Sequence, residues 1–351
     1  MNKITVSAPG KLMLLGEHAV VYNHPCLVTA VDQRMYAIVE FTSEPVFELQ
    51  APDVHITNYK KPMREVGLGE IPKGAKSVEI AVANFLSHPD QAKPDSGSRA
   101  KVRFRNTRLH LPSAKADGGQ EFGMTKEMGI RISTKSEFSS QFGFGSSSAS
   151  TVCVIKGVSE ILGLNLSQKE IFDLSYKTVL DIQGKGSGFD VAAAVYGGTL
   201  YFVTGGKVIE SLKIESLPLI VGYTGIKADT VTLINKVKES FANKQNRLDE
   251  IYNGIEVLVN QAKDALVKMD WQTLGKLMNK NQDLLVELGV SIDKLDNMIK
   301  STLDAGAYGA KLSGAGGGDC MIALHSVQGK LRVQKAIKKA GGEVINVKTN
   351  A

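Results

Sequence analysis

Apolar residues along the chain follow two different periods, and the changes of period divide the sequence into predicted elements. Apolar and polar residues alternate over 3–7 and 27–41, which predicts strands, and apolar residues recur at helical spacing over 77–86. The same patterns predict further strands at 129–135, 217–221, 321–324 and 342–347, and further helices at 170–180, 229–241, 248–269 and 271–288. This mixture predicts an α+β fold.

The length of 351 residues suggests two domains. After about residue 205, long amphipathic helical patterns replace the mixture of strand and helix patterns. We therefore predict an N-terminal domain over 1–205 and a C-terminal domain over 206–351. Residues 88–127 are polar and rich in turn residues, with a strand-like stretch at 101–105. We predict a surface insertion there, formed by a hairpin and flanking loops.

Composition narrows the class of protein. The net charge is +6, yet Lys and Arg form no long run, so the sequence does not imply a nucleic-acid partner. A mild positive charge suits a small acidic substrate, but it is equally typical of the ordinary surface of a soluble protein. Cys26, Cys153 and Cys320 are dispersed in apolar surroundings, which indicates buried thiols and neither a disulfide framework nor a metal site. The N-terminus does not have the pattern of a signal peptide, and no apolar run reaches the roughly 18 residues needed to span a membrane. We therefore expect a cytoplasmic protein without a membrane partner.

The first of three glycine-rich segments lies at 142–151, where two glycines and four serines precede an apolar helical run. Such a segment binds anions, because free backbone N–H groups converge at a helix N-terminus and the helix dipole favours negative charge. A Gly/Ser linker before an ordinary helix is the alternative. The segment lacks the Gly-Lys-Ser/Thr ending of a Walker A loop.

Near the N-terminus, Pro9-Gly10 predicts a turn before a short buried strand at 12–15. Lys11 leads directly into this apolar run, so we expect its ammonium group to be held near the interior. Gly16-Glu17-His18 places an acid and an imidazole beside a glycine, where a ligand can approach. Taken alone, these residues are equally compatible with a solvent-exposed lysine and a surface Glu-His pair.

The second segment, 181–194, sets Asp190 immediately before a run of Ala and Val that predicts a helix. A carboxylate there is either an N-cap or a group that meets a substrate hydroxyl. The third segment, 311–320, contains four glycines. Glycines permit close backbone approach to a phosphate, whereas a tight turn between two strands would not require so many.

Together these segments resemble the three motifs of the GHMP kinase superfamily: Pro9-Gly10-Lys11 with Gly16-Glu17-His18, then 142–150, then 311–320. The resemblance implies a two-domain GHMP kinase fold, with an N-terminal domain like domain 2 of ribosomal protein S5 and a ferredoxin-like C-terminal domain. It implies a site in the cleft between them, with ATP and Mg²⁺ as cofactors, and transfer of the γ-phosphoryl group of ATP to a small-molecule hydroxyl.

The resemblance also implies roles for individual residues. Lys11 and Asp190 of Ser187-Gly188-Phe189-Asp190 correspond to the catalytic pair. Substrate contacts are implied for Glu17, His18, Ser187 and Thr224, and a magnesium ligand for Ser147. Asp181 is a possible second ligand, because Val179 stands where the family has its metal-binding glutamate. The residues implied in nucleotide phosphate binding are Gly143, Phe144, Gly145, Ser146, Ser147, Ser148, Ala149, Gly314, Gly316 and Gly317.

Within the superfamily, 16–21, 288–296 and 311–318 are most similar to mevalonate kinases, which implies conversion of mevalonate to 5-phosphomevalonate in isoprenoid biosynthesis. Gly188-Phe189-Asp190-Val191 instead resembles phosphomevalonate kinases, and Ala228 stands where mevalonate kinases often have Arg. Phosphomevalonate kinase, another kinase of the superfamily, an inactive nucleotide-binding sensor and, more weakly, an RNA-binding module therefore remain alternatives. A homodimer is a further possibility.

Overall fold

The structure, a computed structural model, describes residues 3–87 and 128–349. The insertion expected at 88–127, with its strand-like stretch, lies outside the described residues and stays a prediction.

The described residues form runs of strands and runs of helices, and the strand pairs are mostly antiparallel, as in an α+β fold. The strands are β1 (Lys3–Leu15), β2 (Pro25–Thr42), β3 (Val46–Ala51), β4 (Ile56–Pro62), β5 (Gly129–Ser136), β6 (Thr199–Val203), β7 (Val208–Leu212), β8 (Leu219–Tyr223), β9 (Gly309–Ser313), β10 (Cys320–Leu324) and β11 (Glu343–Ile345). The helices are α1 (Lys76–Ser87), α2 (Ser146–Ile161), α3 (Gln168–Gln183), α4 (Phe189–Tyr196), α5 (Thr230–Ser240), α6 (Gln245–Val267), α7 (Trp271–Glu287), α8 (Asp293–Asp304) and α9 (Lys330–Lys339).

The chain divides into two compact units whose boundaries cut through several elements. The first unit consists of Met1–Ala8, Met35–Ser136 and Ser147–Lys185, and the second of Pro9–Arg34, Glu137–Ser146 and Gly186–Ala351, as far as these residues are described. Because β1, β2 and α2 each contribute to both units, this division differs from a single cut in the sequence. The boundary at residue 205 stays a prediction about domains of the family.

In the first unit, β4, β3, β5 and the second half of β2 are neighbours in one sheet. β3 pairs with β5 in parallel, Phe47 opposite Ile130, while β2 and β5 are antiparallel, Val39 opposite Ile132. These four side chains are fully buried in the core of this unit, together with apolar residues of α1, α2 and α3. The alternation of buried and partly exposed residues along β5 is the pattern that the sequence predicted for this strand.

In the second unit, the first half of β2 pairs antiparallel with β6, and β6 pairs antiparallel with β7. A separate sheet has the order β11-β8-β10-β9, with every pair antiparallel. Along the chain, β8 is followed by helices, then β9 and β10, then α9 and β11. This βαββαβ arrangement is the ferredoxin-like topology expected for the C-terminal part.

Most predicted elements are confirmed within a few residues, but one turn is wrong. Pro9-Gly10 does not interrupt the chain, because β1 runs unbroken from Lys3 to Leu15. A Cβ atom on Gly10 would lie 3.2 Å from both the Phe138 ring and Val31. The glycine therefore allows close packing within a strand, where the sequence had suggested a turn.

Two helices, α8 and α9, were missed. In α8 the buried residues Leu295, Met298, Ile299 and Thr302 have helical spacing, so the test that located the other helices applies here too. α9 buries only Val333 and Ile337. Its short apolar stripe lies among lysines and gives a weaker signal. No helix in the described part of the chain is long and apolar enough to cross a membrane.

Candidate active site

Lys11 lies on β1 in the second unit, and its side chain is only 8% exposed. Its ammonium Nζ donates a hydrogen bond to the carbonyl of Gly143 at 2.7 Å. Its backbone N–H donates to the carbonyl of Phe144 at 3.0 Å. The expectation of a buried lysine is confirmed, and these two bonds attach the start of the 142–151 segment to β1.

Asp190 lies beside Lys11 in the same unit. A Cβ atom on Gly145 would be 3.4 Å from Cε of Lys11 and 3.5 Å from Cβ of Asp190, so both side chains flank one glycine. Asp190 is partly exposed and occupies the second position of α4, whereas Gly188 is the N-cap residue. The N-cap alternative for Asp190 is therefore wrong.

Burial and the nearby carboxylates shift the pKa of the Lys11 ammonium in opposite directions. Burial lowers its pKa below the ordinary value of 10.5, and this effect exceeds the opposing influence of Asp190 and Asp319. Lys227 adds a further decrease. Because the ammonium is buried, its interactions with the Asp190 and Asp319 carboxylates are screened less than they would be in water.

The 142–151 segment combines a short turn with a helix start. Ser140–Phe142 is a 3-10 turn, Gly143 and Gly145 have φ of 72° and 78°, and α2 begins at Ser146. The left-handed glycines let the chain reverse and present the first N–H groups of a 16-residue helix. A turn that leads directly into a helix differs from a flexible linker, and phosphate binding by this segment stays a prediction.

The side chains of this segment divide between exposed and packed positions. Phe144 is buried against Phe142, with ring centres 5.6 Å apart, so only its backbone is available to a phosphate. Phe142 in turn packs on Tyr223 of β8 at 5.1 Å. Ser147 is exposed, while Ser148 and the following Ala149 are buried. Ser147, Ser148 and Ala149 belong to the first unit, and the preceding residues to the second.

The third glycine segment connects β9 to β10 and contains Gly314, Gly316 and Gly317, with φ of 105°, 83° and 68°. A Cβ atom on Gly316 would lie 2.2 Å from the carbonyl oxygen of Val290, and the N–H of Gly317 donates to that same oxygen at 2.7 Å. A side chain has no room there. The glycines therefore allow a close approach to the backbone of Val290, while the predicted approach to nucleotide phosphates stays a prediction.

Asp319, directly after these glycines, was not predicted as a site residue. It is buried and has a positive φ of 53°. Its Oδ1 accepts hydrogen bonds from the N–H of Ala228 at 2.9 Å and from Nζ of Lys227 at 3.2 Å. Its Oδ2 lies 2.5 Å from the position that a Cβ on Gly143 would take. The first and third glycine segments therefore meet at Asp319, within the second unit.

The four residues implied in substrate contact are all buried in the structure: Glu17, His18, Ser187 and Thr224. The Thr224 hydroxyl donates to the carbonyl of Asp319 at 3.0 Å and accepts from the N–H of Ile226 at 3.1 Å. Ser187 accepts a hydrogen bond from Gly205 at its backbone carbonyl, 2.9 Å. These bonds lie within the protein, so contact with a substrate stays a prediction for these residues.

Glu17 forms an ion pair with Lys311, and both side chains are fully buried. Lys311 was not singled out from the sequence as a buried charge. The signal was present in the sequence, because a single lysine between Ala310 and Leu312 in an apolar strand indicates a buried charge that requires a partner.

Asp181 lies at the end of α3 in the first unit. Its carboxylate accepts hydrogen bonds from Nζ of Lys177 at 2.6 Å and from the Asn84 amide at 2.8 Å. Burial opposes the charge, but these two donors outweigh it and lower the pKa of the Asp181 carboxyl. A surface ion pair accounts for this arrangement, and a role as a metal ligand stays a prediction.

The described residues contain no group of three or more His, Cys, Asp or Glu side chains that would hold a metal ion alone. Mg²⁺ does not require one, because it usually binds one or two protein oxygens together with substrate phosphates and water. The exposed Ser147 hydroxyl at the start of α2 is an oxygen of this kind, and its role as a magnesium ligand stays a prediction. This donor chemistry fits Mg²⁺.

Comparison with known proteins now identifies the fold. The family models "GHMP kinases N terminal domain" and "GHMP kinases C terminal" match residues 114–198 and 262–343. A galactokinase galactose-binding signature matches residues 2–41. These three matches contain the glycine segment at 142–151, both Lys11 and Asp190, and strands β9 and β10 of the ferredoxin-like sheet.

Two full-length relatives are mevalonate kinases. The chain is 33% identical to the enzyme of Thermococcus sibiricus, with 99% of this chain and 96% of the relative covered. It is 35% identical to that of Pyrococcus abyssi, with 97% and 93% covered. The crystal structure of the Methanococcus jannaschii mevalonate kinase matches with a TM-score of 0.75 at 26% identity, over 98% and 97% of the two chains. The chain therefore belongs to the GHMP kinase family, among the mevalonate kinases, and is an ATP-dependent kinase that phosphorylates a hydroxyl group.

Proposed function

We propose that the chain phosphorylates mevalonate, transferring the γ-phosphoryl group of ATP to its terminal hydroxyl to give 5-phosphomevalonate. One observation carries the proposal most directly. Lys11 and Asp190 flank Gly145 of the predicted phosphate loop, in a chain whose curated relatives at 33–35% identity are mevalonate kinases. An ammonium and a carboxylate beside one phosphate loop are the groups that phosphoryl transfer to an alcohol requires.

In the proposed reaction, the N–H groups of 143–149 bind the ATP phosphates at the start of α2. The Asp190 carboxylate orients the acceptor hydroxyl and receives its proton as the oxygen bonds to phosphorus and the bond to the ADP oxygen breaks. Lys11 neutralises charge that develops on the transferred group. Positioning and electrostatic stabilisation supply most of the rate, because little covalent chemistry is left to the protein.

Mg²⁺ is proposed as the cofactor that accompanies ATP, and it would neutralise phosphate charge when bound. Ser147 is the residue proposed to hold it, because its hydroxyl is exposed at the helix start. Asp181 is the weaker candidate, since Lys177 and Asn84 already occupy its carboxylate. A location in the cytoplasm, a homodimer and the domain boundary near 205 also remain proposals.

A second candidate is phosphomevalonate kinase, favoured by the sequence Gly188-Phe189-Asp190-Val191. The structure of the Streptococcus pneumoniae phosphomevalonate kinase in complex with phosphomevalonate and AMPPNP matches with a TM-score of 0.75, but at 19% identity, which supports a shared fold alone. The greater identity to mevalonate kinases is why we place mevalonate first.

The test is a steady-state assay of ADP release by the purified full-length chain with ATP and Mg²⁺. The acceptors are mevalonate, 5-phosphomevalonate, homoserine and galactose, and the product is identified by mass spectrometry. We expect the greatest kcat/KM with mevalonate and a product heavier by one phosphoryl group. A preference for 5-phosphomevalonate would reassign the chain to the second candidate. ATP binding without turnover of any acceptor would support the inactive sensor.

A further inference from the structure

Asp319 has a backbone conformation that favours glycine. It follows Gly316, Gly317 and Gly318, and its φ of 53° is positive like theirs. Aspartate tolerates this region better than most residues do, but only glycine adopts it without steric strain. A residue with a side chain persists in such a conformation where surrounding contacts impose it. The contacts of the Asp319 carboxylate therefore indicate its purpose.

The chain that follows β8 holds Asp319 from one side. The N–H of Asp319 donates to the carbonyl of Ile226 at 2.7 Å, and its own carbonyl accepts from the N–H of Thr224 at 3.0 Å. Its Oδ1 accepts from the N–H of Ala228 at 2.9 Å and from Nζ of Lys227 at 3.2 Å. The Asp319 side chain is 8% exposed, whereas that of Lys227 is 48% exposed. The carboxylate is therefore an interior group, and its cationic partner lies at the surface.

On its other side, the Asp319 carboxylate packs on the start of the phosphate loop. A Cβ atom on Gly143 would lie 2.5 Å from Oδ2, 3.0 Å from Cγ and 3.2 Å from Cβ of Asp319. The carbonyl of the same glycine accepts from Nζ of Lys11 at 2.7 Å. Gly143 is thus held between Asp319 and Lys11, and all three residues belong to the second unit. These contacts restrict a residue that otherwise has great conformational freedom.

Several ionisable groups of the second unit interact with the Lys11 ammonium. They are Cys26 on β2, Asp190 on α4, Lys227 after β8, and Asp319 with Cys320 at the start of β10. Burial lowers the pKa of Lys11, Asp190 and then Asp319 raise it, and Lys227 lowers it. Burial raises the pKa of both thiols, so they are neutral near pH 7. Two carboxylates therefore share the stabilisation of this ammonium.

We propose that Asp319 is a positioning residue for the reaction, which holds Gly143 at the start of the phosphate loop and gives Lys11 a second carboxylate that does not take the acceptor proton. This rests on the proposed function in one respect, that Asp190 receives this proton. A protonated Asp190 no longer attracts the ammonium as an anion does. Asp319 is then the carboxylate that still attracts Lys11, while Lys11 neutralises charge on the transferred group.

The first variant, Asp319→Asn, removes the charge and keeps the shape. Asn tolerates a positive φ, and its side-chain oxygen still accepts from the N–H of Ala228. The kcat/KM for ATP reports the free enzyme, and it should fall at high pH as Lys11 loses its proton. We expect this alkaline fall to move about one pH unit lower in Asp319→Asn, because an anion that raises the pKa of Lys11 is gone.

A second variant, Asp319→Gly, removes the packing as well. Glycine suits a φ of 53°, so any loss of function does not come from backbone strain. The alkaline fall should move as it does in Asp319→Asn. In addition, KM for ATP near pH 7 should rise about twofold to tenfold, because nucleotide binding must then order Gly143. In Asp319→Asn, KM for ATP near pH 7 should stay close to that of the wild type.

Lys227→Gln is the matched control for charge, and its half-exposed position makes folding insensitive to the change. It removes a cation that lowers the pKa of Lys11, so the alkaline fall should move to higher pH. A general loosening of the site would not move the two variants in opposite directions. If Asp319→Asn does not fold, Lys227→Gln decides alone, and an alkaline fall that stays in place or moves lower would overturn the proposal.

The remaining outcomes separate this proposal from the proposed function. Calorimetry with ATP and Mg²⁺ across the alkaline range repeats the pH comparison without any acceptor. A wild type that neither binds ATP nor phosphorylates any of the alcohols tested would end the proposed function. A wild type that turns over without an alkaline fall, or with the same fall as Asp319→Asn, would overturn only the role of Asp319. A lower kcat in Asp319→Asn with an unmoved fall would do the same, because it would indicate a merely structural role.

Discussion

The Lys11 ammonium lies 5.2 Å from the centre of the Phe189 ring. Phe189 opens α4 and directly precedes Asp190, so one helix start supplies both an aromatic face and a carboxylate to the same lysine. The ring face attracts the cation without accepting its proton. The ammonium also donates a hydrogen bond to the carbonyl of Gly143 at 2.7 Å. Together, this bond and the ring restrict the orientation of the Lys11 side chain.

We predict that Phe189→Leu lowers kcat by about twofold to thirtyfold, the range expected for loss of one cation–π contact. Phe189→Tyr keeps the ring face and is the matched control, with kcat close to that of the wild type. Steady-state kinetics at saturating ATP and acceptor measures both. Equal losses in the two variants would contradict a cation–π role, because Phe189→Tyr keeps the ring face.

The buried position of Lys11 predicts an alkaline limb in the pH profile. Its pKa is lowered from 10.5, mainly by burial, so the charge needed for catalysis is lost as pH rises through this lower value. The kcat/KM for ATP, which reports the free enzyme, should therefore fall at a pH below 10.5. Because the unfolded chain keeps this proton longer, the same group makes stability rise with pH between the two pKa values.

Lys11→Arg is the control for this profile, because a guanidinium stays charged across the whole range. Its kcat can be lower, since the longer side chain alters the geometry, but the limb should disappear or move to higher pH. An identical limb in wild type and Lys11→Arg would assign the titration to another group.

We predict that Gly143→Ala disrupts the phosphate loop for two reasons. Its φ is 72°, and the new Cβ would lie 2.5 Å from Oδ2 of Asp319. Gly163→Ala is the matched control, because φ there is 69° and nothing lies within 4 Å. Both variants share the backbone cost of about 1 kcal/mol, but only the first meets a side chain. Thermal melting and the KM for ATP measure the difference.

The contribution of the clash can be isolated in the background Asp319→Ala. In that background Gly143→Ala should lower the free energy of unfolding less than in the wild type, by a coupling energy of about 0.5–3 kcal/mol for groups in contact. Strict additivity of the two substitutions would mean that Asp319 and Gly143 do not meet as described.

The spacing of apolar residues located most strands and helices, because an element that is buried on one face has apolar residues at regular intervals in the sequence. The long helices α6 and α7 illustrate this, with apolar residues at helical spacing facing inward. Pro9-Gly10 was misread because the same pair of residues suits a turn and a strand that packs closely against an aromatic ring. Only the position of Phe138, distant in the sequence, decides between the two.

For the site, the glycine segments were visible because glycines are needed wherever backbone approaches closely. Their supporting contacts were not visible, because those contacts join residues far apart. Lys311 and Glu17 are 294 positions apart, and Lys227 and Asp319 are 92 apart. Sequence alone assigned Glu17 to a motif but could not show that its carboxylate pairs with Lys311.

The most direct test of the central claim compares Asp190→Asn with the wild type in two measurements on the same preparations. Asn keeps the size of the side chain but cannot accept the acceptor proton as a carboxylate does. We predict that kcat with ATP and mevalonate falls by about a hundredfold to ten-thousandfold, the usual contribution of a general base. The ATP dissociation constant should stay within about threefold, since the phosphate loop is intact. Turnover near that of the wild type would remove Asp190 from the mechanism and contradict the account.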